Sequence, residues 1–112
     1  MAQYDRHLTG SFGEMLNLID DSVMQGSISA TREGGSDHSM GDIRCSVRVY
    51  ERYSAMGSNR LSLNITLFGR DGDIQLTAVA SGGSQGMFFK FNTFGEEAFL
   101  NKLVREIERH CT

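Results

Sequence analysis

The sequence predicts an α+β fold of two layers, an antiparallel sheet of roughly 4–6 strands packed against two helices, in the order β-α-β-β-β-β-(β)-α. Three observations predict it. Apolar residues recur at helical spacing near both ends of the chain, whereas between them the period drops to two. The polar half of each alternating stretch points to antiparallel pairing, because strands of a doubly covered parallel sheet are apolar throughout. Finally, 13 glycines and no proline punctuate the chain, which reads as many tight turns between short strands.

Gln3–Thr9 reads as a first edge strand. Ser11-Phe12-Gly13-Glu14 is a capping box, in which Ser11 accepts from the backbone of Glu14 while Glu14 reaches back. Phe12, Met15, Leu16, Ile19 and Val23 then form one stripe, and Gly26 supplies a left-handed stop, so a helix is predicted over 11–25. Ser27–Arg32 is a weaker strand, followed by a polar, glycine-containing mobile loop from Gly34 to Asp42. Residues 43–53 alternate Ile43, Cys45, Val47, Val49 against Arg44, Ser46, Arg48, Tyr50, Arg52, with the apolar set expected inside. Residues 61–68 and 74–80 alternate in the same way. Gly57-Ser58-Asn59 and Asp71-Gly72 mark hairpin turns. Met87–Phe91 reads as a last strand or extended lead-in. Thr93-Phe94-Gly95-Glu96 repeats the capping box ahead of Phe99, Leu100, Leu103, Val104, Ile107 and Cys111, which predicts a second helix with Arg109 and His110 favourably placed at its end.

The length of 112 residues allows a single domain, 1–112. A net charge of −3 argues against general nucleic-acid binding, which draws on a strong basic field. No apolar run approaches the roughly 20 residues of a membrane span, and no leader pattern opens the chain, so no membrane role and a cytoplasmic location are expected. Cys45 and Cys111 make no disulfide framework; both lie on apolar stripes and read as small core side chains.

Several stretches resemble a family of small bacterial proteins, a domain of unknown function: Arg44–Tyr53, Asn64–Phe68, and above all Ser81-Gly82-Gly83-Ser84-Gln85 with Phe88-Phe89-Lys90-Phe91-Asn92-Thr93-Phe94-Gly95-Glu96-Glu97. The resemblance covers nearly the whole chain. It implies a compact domain and carries no activity. The element order also resembles the TATA-box-binding-protein-like and helix-grip folds, and element order does not transfer function.

Four sets of residues invite a chemical reading. Gly82-Gly83-Ser84-Gln85-Gly86 matches the G-x-S-x-G pattern of a nucleophile elbow, but extended chain follows where that motif needs a helix. The same loop can cradle an anion with backbone N–H groups, with Lys90 the nearest cation by sequence. Ser36–Asp42 gathers His38 with Asp37 and Asp42, too few ligands for a closed metal site. Arg44, Arg48 and Arg52 repeat roughly every 13 Å along one strand face with Tyr50 among them. Arginine suits bidentate contacts with carboxylate or phosphate. The plainer reading is a solvated face whose arginines pair with Glu33, Glu51 or a partner's acids.

The expectation is a non-enzymatic binding and interaction domain acting as a homodimer, with no cofactor, no metal and no catalytic residues. Its candidate binding residues are Arg44, Arg48, Tyr50, Arg52, Ser84 and Lys90, and its partner a protein or a small anionic ligand. The alternative is a carrier of a small apolar ligand in a pocket between the sheet and the second helix. A hydrolase using Ser84 is third.

Overall fold

The computed structural model describes residues 2–26, 29–53, 60–82 and 89–111, and for 89–98 the backbone alone. Five antiparallel strands form one open sheet, β1 (Ala2–Leu8), β2 (Thr31–Met40), β3 (Ile43–Tyr53), β4 (Arg60–Arg70) and β5 (Asp73–Gly82). Their spatial order is β1-β5-β4-β3-β2. Helices α1 (Phe12–Gln25) and α2 (Phe89–Cys111) lie on one side and pack mainly on β1, β5 and β4. The architecture is α+β, as the alternation of periods predicts.

The start of α1 follows from its capping chemistry. Ser11 accepts from the Glu14 amide at 3.3 Å, and the Asp71 carboxylate takes the Phe12 N–H at 2.8 Å. A turn far along the chain thus satisfies one of the orphan donors of the first helical turn. At the other end Gly26 has φ −79°, so the helix stops on a right-handed residue and not on the left-handed glycine expected. Its carbonyl accepts from Lys102 of α2.

Between the layers, one apolar cluster joins Phe12, Met15, Ile19 and Val23 of α1 to Leu61, Leu63, Ile65 and Leu67 of β4. Ile74, Leu76, Ala78 and Ala80 of β5, and Phe99, Leu100, Leu103 and Ile107 of α2, complete it. Here alternation reads true, since β4 and β5 lie beneath the helices and bury one face only.

Four expectations are corrected. The stretch Gly34–Met40 is strand, not loop: β2 pairs with β3 from Thr31↔Glu51 to Met40↔Ile43, with a bulge between Arg32 and Gly34. The segment Phe89–Phe91 belongs to α2, so it is neither strand nor extended lead-in. Thr93 therefore lies inside the helix and does not cap it; Phe91, Phe94 and Ala98 already carry a helical spacing, which extends the pattern upstream of the box. The faces of β3 are reversed. Arg52, Tyr50, Arg48 and Ser46 stand opposite Leu61, Leu63, Ile65 and Leu67, and directly opposed residues share a face. The arginine-bearing side of β3 therefore faces the helix layer, and Ile43, Cys45, Val47 and Val49 lie on the open side. Beyond the reach of the helices both faces are only partly covered, so side-chain hydrophobicity does not decide which one turns inward. The proposed turn residues Gly57-Ser58-Asn59 lie outside the described residues, although β3 and β4 pair on either side of them.

A polar clamp fixes α2 on the edge strand β1. Glu108 accepts from the Tyr4 hydroxyl and from Arg6 Nε at 2.8 Å and Nη2 at 3.3 Å. These bonds hold its carboxyl below the ordinary carboxylate value of 4.5, the Tyr4 bond first and Arg6 second. Burial and the same carboxylate raise the Tyr4 hydroxyl to about 12. A lowered folded-state pKa stabilises the fold above the ordinary value, and that contribution disappears as pH falls through the folded value. Glu108→Gln is therefore expected to lower the urea midpoint at pH 7, with the deficit shrinking steadily below pH 4.5. A deficit that persists undiminished in acid would assign the effect to shape and not to charge.

Candidate functional site

The functional candidates gather on the wing formed by β2 and β3. Every residue of β2 is exposed, and the helices lie mainly over the other three strands. The wing thus offers a helix-side surface, an open-side surface and a free strand edge.

On the helix side, the arginines singled out in the sequence are engaged within the fold. The Arg44 guanidinium sits 4.4 Å from the centroid of the Phe12 ring, and that of Arg52 sits 4.4 Å over Phe99. Such stacking suits a weakly hydrated planar cation with an apolar stem. Burial lowers the Arg52 pKa, and its Nε has no hydrogen-bond partner among the described residues. The Arg48 side chain is only 13% exposed and pairs with Asp37 at 3.0 Å, while it also donates to the Val47 carbonyl at 2.9 Å. Asp37 accepts from Ser46 at 2.6 Å, and this bond leads in lowering its pKa.

Gly35 makes this arrangement possible. A Cβ at that position would meet the Val47 carbonyl oxygen at 2.6 Å and the Arg48 Cδ at 3.2 Å, so only a bare backbone lets Arg48 lie across β2.

Tyr50 is wholly buried and donates to Asp20 of α1 at 2.8 Å. Burial, then Asp20, push its hydroxyl well above the ordinary value. Arg32 reaches the same carboxylate at 3.4 Å. Arg32 also borders a polar groove of about 300 Å³, which it lines with Glu33, Gly34, Gly35, Asp37 and Arg48. Its cations face Asp20 and Asp37, so the groove is a charge-balanced surface and not a row of free cations. A second groove of about 430 Å³ runs between the helices past Asp21, Gln25, Lys102, Arg105 and Glu106.

The structure thus brings Arg44, Arg48, Tyr50 and Arg52 onto one face, each tied to a different neighbour. Ser84 lies outside the described residues. Lys90 lies on α2, and its side chain is outside the described set.

The open side is different in kind. Ile43, Cys45, Val47 and Val49 are half-buried there, Phe68 is 49% exposed and Met40 83%. Cys45 is a free thiol on this face and Cys111 an exposed one on α2, so the sheet separates them; neither is the core residue expected. Asp37 and His38 point to opposite faces because they are neighbours on a strand, and Asp42, in the turn, pairs with Arg70. No three of His, Cys, Asp and Glu converge among the described residues. No helix among them is long and apolar enough to cross a membrane.

Residues 1–111 match the model of DUF6054, a family of unknown function, and the chain belongs to that family. No curated protein and no solved structure matches it.

Proposed function

We propose that this member of a family of unknown function is a non-enzymatic, cytoplasmic interaction domain that assembles as a homodimer through the edge of β2. The observation that carries the reading is the exposure of that strand along all ten residues. An edge strand presents a row of unpaired N–H and C=O groups, which a second strand satisfies. The opposite edge, β1, has seven residues and is clamped to α2 through Glu108. By contrast, β2 carries Gly34, Gly35, Ser36 and Ser39, small side chains that leave the backbone within reach of another chain. Two free cysteines and no disulfide among the described residues agree with a reducing compartment. The described space between sheet and helices is filled by one apolar cluster, which favours an interaction domain over a carrier of an apolar ligand.

Size-exclusion chromatography with light scattering tests the reading. The wild type is expected to move from monomer to dimer as concentration rises. Ser36→Lys with Ser39→Lys brings like charges from both copies to the shared seam and is expected to raise the dimer Kd at least tenfold, about 1.4 kcal/mol. A wild type that stays monomeric at the highest reachable concentration overturns the proposal, as does a dimer indifferent to the two lysines.

A further inference from the structure

We infer that His38, Met40 and Cys45 form a surface site for one soft monovalent metal ion, with the chemistry of Cu(I). The register of the β2–β3 hairpin sets His38 directly opposite Cys45. Met40 is two residues further along the same strand and opposite Ile43, so all three side chains share the open face. Opposed residues on one face have Cβ atoms roughly 4.5–5.5 Å apart, and diagonal neighbours stay within reach of long side chains. An imidazole, a thioether and a thiol can therefore converge on one point without backbone movement.

None of the three is otherwise engaged among the described residues. Cys45 is a free thiol. Met40 is 83% exposed, a position where packing gives a methionine nothing to do. His38 is exposed, and its ring is held by no hydrogen bond or ion pair. Phe68 stands opposite Cys45 on the far side and gives the sulfur an apolar flank.

The donor set selects the metal. Thiolate and thioether sulfur favour Cu(I), imidazole accepts it, and calcium, magnesium and manganese need oxygen ligands. The nearby carboxylates are elsewhere: Asp37 is turned to the helix side, bound to Ser46 and Arg48, and Asp42 pairs with Arg70. Structural zinc sites draw on cysteine, histidine and carboxylate, and a thioether is not among their ligands. On binding, the Cys45 thiol gives its proton to solvent as the sulfur–metal bond forms, and the oxidation state of the metal does not change. His38 and Met40 belong to β2, whose backbone edge forms the proposed seam, but their side chains project from the sheet face, and the site is read by metal stoichiometry and not by oligomeric state.

The test is an anaerobic titration of the full, reduced chain with Cu(I) in competition with bicinchoninate, a chromophoric chelator. A Cys111→Ser background removes the one other thiol of the sequence. One equivalent of Cu(I) is expected to be withdrawn from the chelator. His38→Ala, Met40→Leu and Cys45→Ser are each expected to weaken binding by at least about tenfold, since loss of even an outer-shell partner typically costs that much. Met40→Leu changes a solvent-facing side chain and leaves the fold intact, so its result is decisive. No competition with the chelator overturns the site. So does affinity that survives both His38→Ala and Met40→Leu, which would leave a single thiol, and so does Zn(II) displacing Cu(I) at equal concentration.

Discussion

Phe12→Ala is expected to destabilise the fold by about 3–5 kcal/mol, the range for truncating a large buried aromatic. Phe12 is fully buried at the first position of α1 and belongs to the cluster that joins both helices to the sheet. Its ring also supports the Arg44 guanidinium at 4.4 Å, so the truncation removes a stacked cation's partner along with the core contact. For a stability of the usual 5–15 kcal/mol the loss is a large fraction of the whole. Urea denaturation at neutral pH reads it as a fall in midpoint at constant slope. Phe12→Leu is the control, with an expected loss well below that of alanine because most of the apolar volume remains. A loss under about 1 kcal/mol for Phe12→Ala would contradict the burial on which the helix docking rests.

Gly69→Ala is the second large effect, by a different mechanism. Gly69 has φ +137°, and a Cβ there would lie 2.2 Å from the Asp73 carbonyl oxygen. A residue forced into such a conformation costs about 1–3 kcal/mol, and the clash adds to this because the obstacle is backbone and cannot rotate away. The expected total is about 3 kcal/mol or more. The consequence spreads beyond the hairpin, since the adjoining turn carries Asp71, which caps α1 through Phe12 N–H. Hydrogen exchange is expected to show lost protection both at 73–77 and in the first turn of α1. Unchanged protection at both places, with an unchanged midpoint, would show that the hairpin relaxes around the methyl group.

The parts of the fold beneath the helices were legible in the sequence, and those beyond them were not. Leu61, Leu63, Ile65 and Leu67 alternate cleanly because one face of β4 is buried and the other is not. The same rule misassigns β3, where Tyr50 is buried beside arginines that lie over phenylalanine rings. No propensity announces that Arg44 and Arg52 will turn to the helix side, because the aromatic faces they cover come from the distant Phe12 and Phe99.

β2 has no hydrophobic alternation, since a strand exposed on both faces has no core to match, and Gly34–Met40 therefore reads as loop. A signal for it did exist. A strand of 11 residues at 43–53 needs a partner of similar length, and the short Gly41-Asp42 turn directs that partner upstream. The metal-binding triad inherits both errors: with β2 unseen and β3 inverted, Cys45 has no histidine opposite it.

The sheet order has a consequence for how the chain reaches its fold. Strands β2 to β5 form a meander in which each pairs with its neighbour in sequence, and such local pairings close short loops. β1 is different, because Ala2 pairs with Ala80 and the closing segment spans most of the chain. Loop-closure entropy delays that contact relative to the hairpins. During synthesis β1 emerges before β5 and has no partner until β5 has left the ribosome. Once it has emerged, and until β1 docks, β5 is itself an open edge, and the β1 of a neighbouring nascent chain has the same sequence and fits the same register. At high local concentration on a polysome, strand exchange between copies becomes the competing route, and the speed at which β1 finds its own β5 decides between the two outcomes.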